Sequence, residues 1–200
     1  MVRGKLIALA ITATAAPGLA AERESALAAF TGAYAGPELG AHEQHMFLEE
    51  TNVATGTTRG RYYRAWGAGG GAFAGYEWPI ARRVRVGLEA SLSLGGASPA
   101  AHFEEGTSYA QHPLWGLRGT GRAGYLLSER LLAYGTFGYG GHHYRLENGA
   151  GVTDVHAWAS SFTIGGGFEY RLSRRIGVRL DFRHLDNSMS HILVGLPIRF

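Results

Sequence analysis

The chain of 200 residues has no cysteine, so no disulfide braces it, and export through an oxidising compartment does not require one. Beyond residue 21 no stretch approaches the ~18 continuous apolar residues of a membrane helix, so residence in a bilayer would have to be by strands. Apart from a short apolar patch at Ser25 to Phe30, no 3.6-residue period is sustained, which argues against a helical domain. A large net charge is missing as well. Met1 to Ala21 has a basic start (Arg3, Lys5), an apolar run from Leu6 to Ala16 and small residues at Gly18, Ala20 and Ala21, the pattern of a signal peptide. Removing it takes two of the 19 basic residues, leaving 17 against 16 acidic ones, and that balance gives no support to a nucleic-acid partner.

What remains, residues 22–200, suits one domain rich in glycine and aromatics. Glycine, at 31 residues, is about twice average usage without a collagen period, a composition that reads as closely packed β-strands. At the end of the chain Ile192, Val194, Leu196, Ile198 and Phe200 share one strand face, and the last is an aromatic.

A loose repeat orders the rest. Tyr76, Tyr125 and Tyr170 each precede a short polar turn followed by an Arg and an aliphatic residue, and Trp66, Trp115 and Trp158 lie 10, 10 and 12 residues upstream on the same face. Ten tilted strand residues cover roughly 23 Å, close to the ~25 Å between the aromatic girdles of a membrane barrel. Trp66, Trp115 and Trp158 would then mark the outer girdle, and Tyr76, Tyr125, Tyr170 and Phe200 the periplasmic one. Fixing the short turns at 79–83, 126–130 and 171–175 predicts eight strands at about 29–42, 64–78, 84–94, 114–126, 131–144, 157–171, 176–185 and 191–200. Longer polar loops fall at 43–63, 95–113, 145–156 and 186–190. The fold expected is an all-β, eight-stranded antiparallel up-and-down transmembrane barrel. The faces are clean in the third, sixth and seventh strands and ambiguous in the fifth.

Facing inward would be Glu77, Arg85, Glu89, Arg118, Arg122, Glu169, Arg179, Asp181, Arg183 and Arg199, a charge network filling a lumen only wide enough for side chains. Alternation alone equally allows the reverse, a soluble barrel with these charges outside and an apolar cavity within.

The segments Phe30 to Gly36, Gly69 to Trp78, Val86 to Glu89, Gly121 to Tyr125, Gly165 to Tyr170 and Val178 to Arg183 resemble the small eight-stranded outer-membrane barrels that include opacity and porin-like surface proteins of proteobacteria. The resemblance implies a cell outer membrane location and, as partners, lipid, lipopolysaccharide and the barrel assembly machinery, which would read the Phe200 strand as its assembly signal. It implies no catalytic residue and no cofactor. Such scaffolds host surface-contact proteins, narrow channels for small solutes and lipid A-modifying enzymes, so the function expected is a structural or surface-contact role, with contacts through outer loops. Pro37 and Pro197 depart from the pattern, each removing a donor where the first and last strands must pair.

Two chemical candidates remain. The nine His residues (42, 45, 102, 112, 142, 143, 156, 184, 191) all fall at the expected outer end, a metal-binding or pH-responsive loop surface or simply polar loop residues; no ligand motif of defined spacing marks a metal site. His184 with Ser188 sketches a hydrolase pair, but four residues apart at a loop edge they do not share a strand face in bonding reach. The pairs Glu49/Glu50 and Glu104/Glu105 read as solvated loop charge, and Gly69-Gly70-Gly71 lies inside a strand pattern.

Overall fold

A strand that is apolar on one face and polar on the other can satisfy both only if each face meets its own surroundings, and eight such strands do so here by closing into a ring. A computed structural model of the chain describes residues 30–52, 55–102, 108–149, 155–185 and 189–200; the leader expected at 1–21 lies outside them. In chain order the strands are β1 (Gly32–Asn52), β2 (Thr57–Pro79), β3 (Val84–Gly95), β4 (Ala100–His102), β5 (Ser108–Ser128), β6 (Leu131–Asn148), β7 (Val155–Arg171), β8 (Gly177–Leu185), β9 (Met189–Gly195) and β10 (Ile198–Arg199). β4 is an appendage on β5, and β9 and β10 are two parts of one stave, so eight staves run round the ring and the last pairs back onto β1. Closure leaves no sheet edge, the condition for strands to cross hydrocarbon.

The register fixes the geometry. Ladder partners traced from Tyr34 run through Gly75, Glu89, Thr120, Gly138, Thr163, Leu185 and Met189 and return to β1 at Gln44, ten residues further on. A shear of ten over eight staves tilts the strands by about 40°.

The two prolines do not shift the closing seam. Tyr34 pairs with Arg199 and Glu38 with Gly195, the same offset on either side of Leu196-Pro197. The Leu196 N–H donates to the Pro37 carbonyl (3.0 Å) and the Gly177 N–H to the Pro197 carbonyl (2.9 Å). Each proline therefore removes a donor from a different ladder, Pro37 from the seam with the last stave and Pro197 from the ladder with β8, while its carbonyl still bonds.

Polarity decides which face is in. Arg179, Asp181, Glu169 and Glu77 are buried in the interior, whereas Leu39, Phe137, Phe162, Ile164 and Leu180 point outward, Leu39 at 71% exposure. That is the inverse of a soluble protein, and it removes the ligand-cavity alternative. β6, ambiguous in sequence, puts Leu132 and Tyr134 inward and Phe137 and Tyr139 outward.

Two expectations need correction. The 43–63 segment is not a loop: β1 and β2 remain paired as a two-stranded ribbon up to Asn52 opposite Thr57. Its sides are held by Phe47 against Tyr62 (ring centres 4.8 Å) and by a Thr51–Thr58 hydroxyl bond (3.0 Å), and its tip turns at Gly56 with φ of +66°. Polar composition reads as loop, but above the membrane neither face meets lipid, so a strand there has no reason to alternate. In the same way β5 starts at Ser108, with an irregularity between Pro113 and Trp115, and β6 runs to Asn148.

Candidate functional site

The lumen has layers set by which inward residue each stave supplies. At the end with short turns, which is the periplasmic end of such barrels, Phe30, Leu126 and Leu132 form a small apolar cluster, and the Arg199 guanidinium lies 5.3 Å from the Phe30 ring centre. Arg85 bonds there to the Ala81 and Val84 carbonyls. Above this, Arg199 pairs with Glu77 (2.9 Å) and Glu169 (2.7 Å), and Arg122 reaches Glu169 (2.8 Å), Glu77 (3.2 Å) and Glu89 (3.8 Å). In the middle, Arg179 bridges Glu38 and Glu89, each at 2.6 Å, and Arg183 bridges Glu38 (3.1 Å), Glu89 (3.1 Å) and Asp181 (2.8 Å). Aromatic rings serve as a second kind of partner. Arg122 stacks 3.7 Å over Tyr134, and Arg179 lies 3.4 Å over Phe73. The Tyr34 hydroxyl donates to Glu89 (3.0 Å) and the Tyr134 hydroxyl to Asp181 (3.0 Å).

The outer part of the lumen is made differently. The imidazoles of His42 and His191, paired across the closing seam, stack at 3.9 Å with planes 10° apart, and His142 from the opposite wall meets His191 edge-on at 5.9 Å. Gly69 and Gly116 make room for them: a Cβ at Gly69 would run into the His42 ring and one at Gly116 into the His142 ring. Above lies a second apolar cluster, Tyr144, Leu185 and Met189.

All ten inward residues singled out in sequence are buried inside; Arg85 bonds to backbone carbonyls, and Arg118, which bonds to the Ser91 hydroxyl, stands outside the ion pairs among the described residues. Sequence reasoning missed Glu38, Tyr34, Phe73, Tyr134, Gln44 and the buried histidines. Tyr34, Glu38 and His42 lie at four-residue steps along one face of β1, which was the available signal.

Trp66, Trp115, Trp158, Tyr76, Tyr125, Tyr170 and Phe200, the residues expected in the girdles, all lie exposed on the outer wall. Trp115 and Trp158 touch (5.4 Å) over Gly141, where a Cβ would meet the Trp158 ring; Phe200 and Tyr76 flank Ala33 on one rung. The histidines do not form a common loop surface. Three are inside the lumen, while His143 and His156 stack on the outer wall beside Trp115. Nor do the inner three converge as metal ligands: stacked rings hold their in-plane lone pairs in parallel planes, and among the described residues no group of three ligand side chains gathers round a point.

Ser188 lies outside the described residues, and the serine that meets His184 is Ser190, its cross-strand partner on β9 (Nδ1 to Oγ 3.0 Å). Glu43, on the next stave beside Ser190, pairs instead with His45 (2.8 Å), and no carboxylate lies within 4.0 Å of His184 among the described residues.

The comparisons with known proteins agree with this architecture. The chain is 29% identical over 132 residues, 61% of its length, to the 31 kDa outer-membrane immunogenic protein of Brucella melitensis, and it spans about half (55%) of the length of that relative. The crystal structure of Neisserial surface protein A matches with a TM-score of 0.53 at 11% identity, covering 85% of this chain and 98% of that one, a likeness of fold. The attachment invasion locus protein of Yersinia pestis matches with a TM-score of 0.48 at 13% identity, over 84% of this chain and 99% of that one. The outer membrane protein beta-barrel domain model matches residues 6–191, nearly the whole chain, and the protein belongs to that family as a barrel of the Gram-negative outer membrane.

Proposed function

We propose that this protein is a non-enzymatic outer-membrane barrel whose lumen is closed by side chains and whose role is structural or a matter of surface contact. One observation carries the reading: Arg122, Arg179, Arg183 and Arg199 tie carboxylates from different staves together across the lumen. Breaking such a network exposes buried charge, so it opposes an open path for solutes. The 1–21 leader would direct export, outer-leaflet lipopolysaccharide and lipid would surround the apolar wall, and the assembly machinery would engage the stave ending at Phe200. Purified full-length protein in planar bilayers is expected to give no discrete conductance steps; regular steps in the wild type would establish the narrow-channel alternative. Deleting Phe200 should lower the yield in outer membranes, with unchanged yield counting against the assembly signal.

The His184–Ser190 contact supports a lesser reading, hydrolysis of an outer-leaflet lipid ester. A serine nucleophile needs a base held by a third group, and among the described residues no carboxylate pairs with His184, while Glu43 on the next stave is engaged by His45. Lipid A masses should be the same in cells overproducing the wild type or Ser190→Ala; a deacylated species seen with the wild type alone would revive the enzyme.

A further inference from the structure

The buried charges of the lumen do not balance. Six guanidiniums (Arg85, Arg118, Arg122, Arg179, Arg183, Arg199) face five carboxylates (Glu38, Glu77, Glu89, Glu169, Asp181), leaving one positive charge in excess among the described residues. Four of the six are in ion pairs, and Arg85 bonds to carbonyls at the periplasmic turn. Arg118 is different. It is 6% exposed and donates Nη2 to the Ser91 hydroxyl (2.7 Å), and among the described residues it has no carboxylate within ion-pair distance and its Nη1 has no acceptor.

The register shows what shares its layer. Gly116 is the next inward position of β5 and pairs with His142; His142 touches His191, and His191 stacks on His42. Arg118 is an electrostatic neighbour of all three rings, Arg183 of His42 and His191, and the carboxylate Glu38 of His42. Among the described residues both ring nitrogens of His142 and of His191 lack a hydrogen-bond partner, and so does Nε2 of Gln44, whose Oε1 accepts from the Tyr144 hydroxyl (3.4 Å). His142, His191 and Gln44 are each more than nine-tenths buried. An uncompensated guanidinium in such surroundings is costly, and imidazole and amide N–H groups add donors where an acceptor is missing.

We propose that the outer part of the lumen binds one small inorganic anion, held by Arg118 with donors from His142, His191 and Gln44. Paired Arg183 and Glu38 form its floor, and Tyr144, Leu185 and Met189 its roof. A cation is disfavoured there by Arg118, and the parallel stacking of His42 on His191 gives no convergent ligand set. The proposal does not depend on whether the barrel conducts.

The test uses full-length protein purified from outer membranes into detergent. The midpoint temperature of its heat-modifiable gel shift would be followed as chloride replaces gluconate at fixed ionic strength, and again with inorganic phosphate. Binding only to the folded state should raise the wild-type midpoint by about 5–10 °C at saturation. Arg118→Gln should lose most of that rise, and His142→Phe, which keeps the ring volume and Arg118, should lose part of it. Crystals soaked in bromide supply a readout that needs no variant: an anomalous peak between Arg118 and His191 is expected. A midpoint that responds to neither anion, or that responds equally in wild type and both variants, would overturn the site, as would a lumen holding only water in bromide crystals where the midpoint does respond to halide. A response to phosphate and not to halide would keep it and identify an oxyanion as its occupant.

Discussion

In the periplasmic half of the lumen Arg122 and Arg199 share Glu77 and Glu169, so that each ion has two partners; in the outer half Arg118 shares its layer with three imidazoles and an amide. The first arrangement cross-links opposite walls, and loss of any member leaves a charge of one sign in excess in a site without water's dielectric. Apart from Arg118, the second is made of groups that are neutral when unprotonated, each of which can be lost without stranding a charge. One half is therefore brittle to substitution, and the other is tolerant but holds a spare positive charge.

Substitutions should expose this difference in graded steps. Arg122→Ala leaves Glu77 and Glu169 with Arg199 as their shared partner and an excess of buried negative charge, and is expected to cost about 3–5 kcal/mol, read from urea unfolding of the folded band; a loss under about 1 kcal/mol would mean that the pairing contributes little. Gly116→Ala pushes a methyl into the His142 imidazole and should cost roughly 1–3 kcal/mol, with His142→Ala in the same chain restoring most of it. Failure of the second change to compensate would mean that the ring is not what the glycine accommodates. His142→Phe alone should cost no more than about 1 kcal/mol, since a ring of similar size replaces one that bonds to no protein group. If it proved as damaging as Arg122→Ala, the two halves of the lumen would not differ as described.

The barrel itself could be read from the chain wherever a strand separates lipid from lumen, because there the alternation has a cause. β3, β7 and β8 are such strands, and their faces match the reading from sequence. The ribbon of β1 and β2 beyond Trp66 was hidden because both of its faces leave the bilayer. β6 was hidden for the opposite reason, since Leu132 and Tyr144 bring apolar groups inside as caps at the two ends of the lumen. The charge network could be listed but not wired, since partners such as Arg179 and Glu38 are 141 residues apart and meet only through the shear. Of the histidines expected on a loop surface, His42, His142 and His191 lie inside the lumen, and for His42 the signal was the alternation along β1 from Tyr34.

The paired ribbon has a mechanical consequence. Past the rung that joins Glu43 to Trp66 it continues for nine more rungs to Asn52 and Thr57, about 30 Å of strand. It stands as a paired mast beyond the point where β1 leaves β9 and β2 leaves β3. Its root is β1, which also supplies Glu38, His42 and Gln44 to the lumen. A pull or twist applied at the tip is delivered by a continuous lever to the seam where His42 rests on His191, so that a contact outside the cell can strain the interior of the wall it stands in.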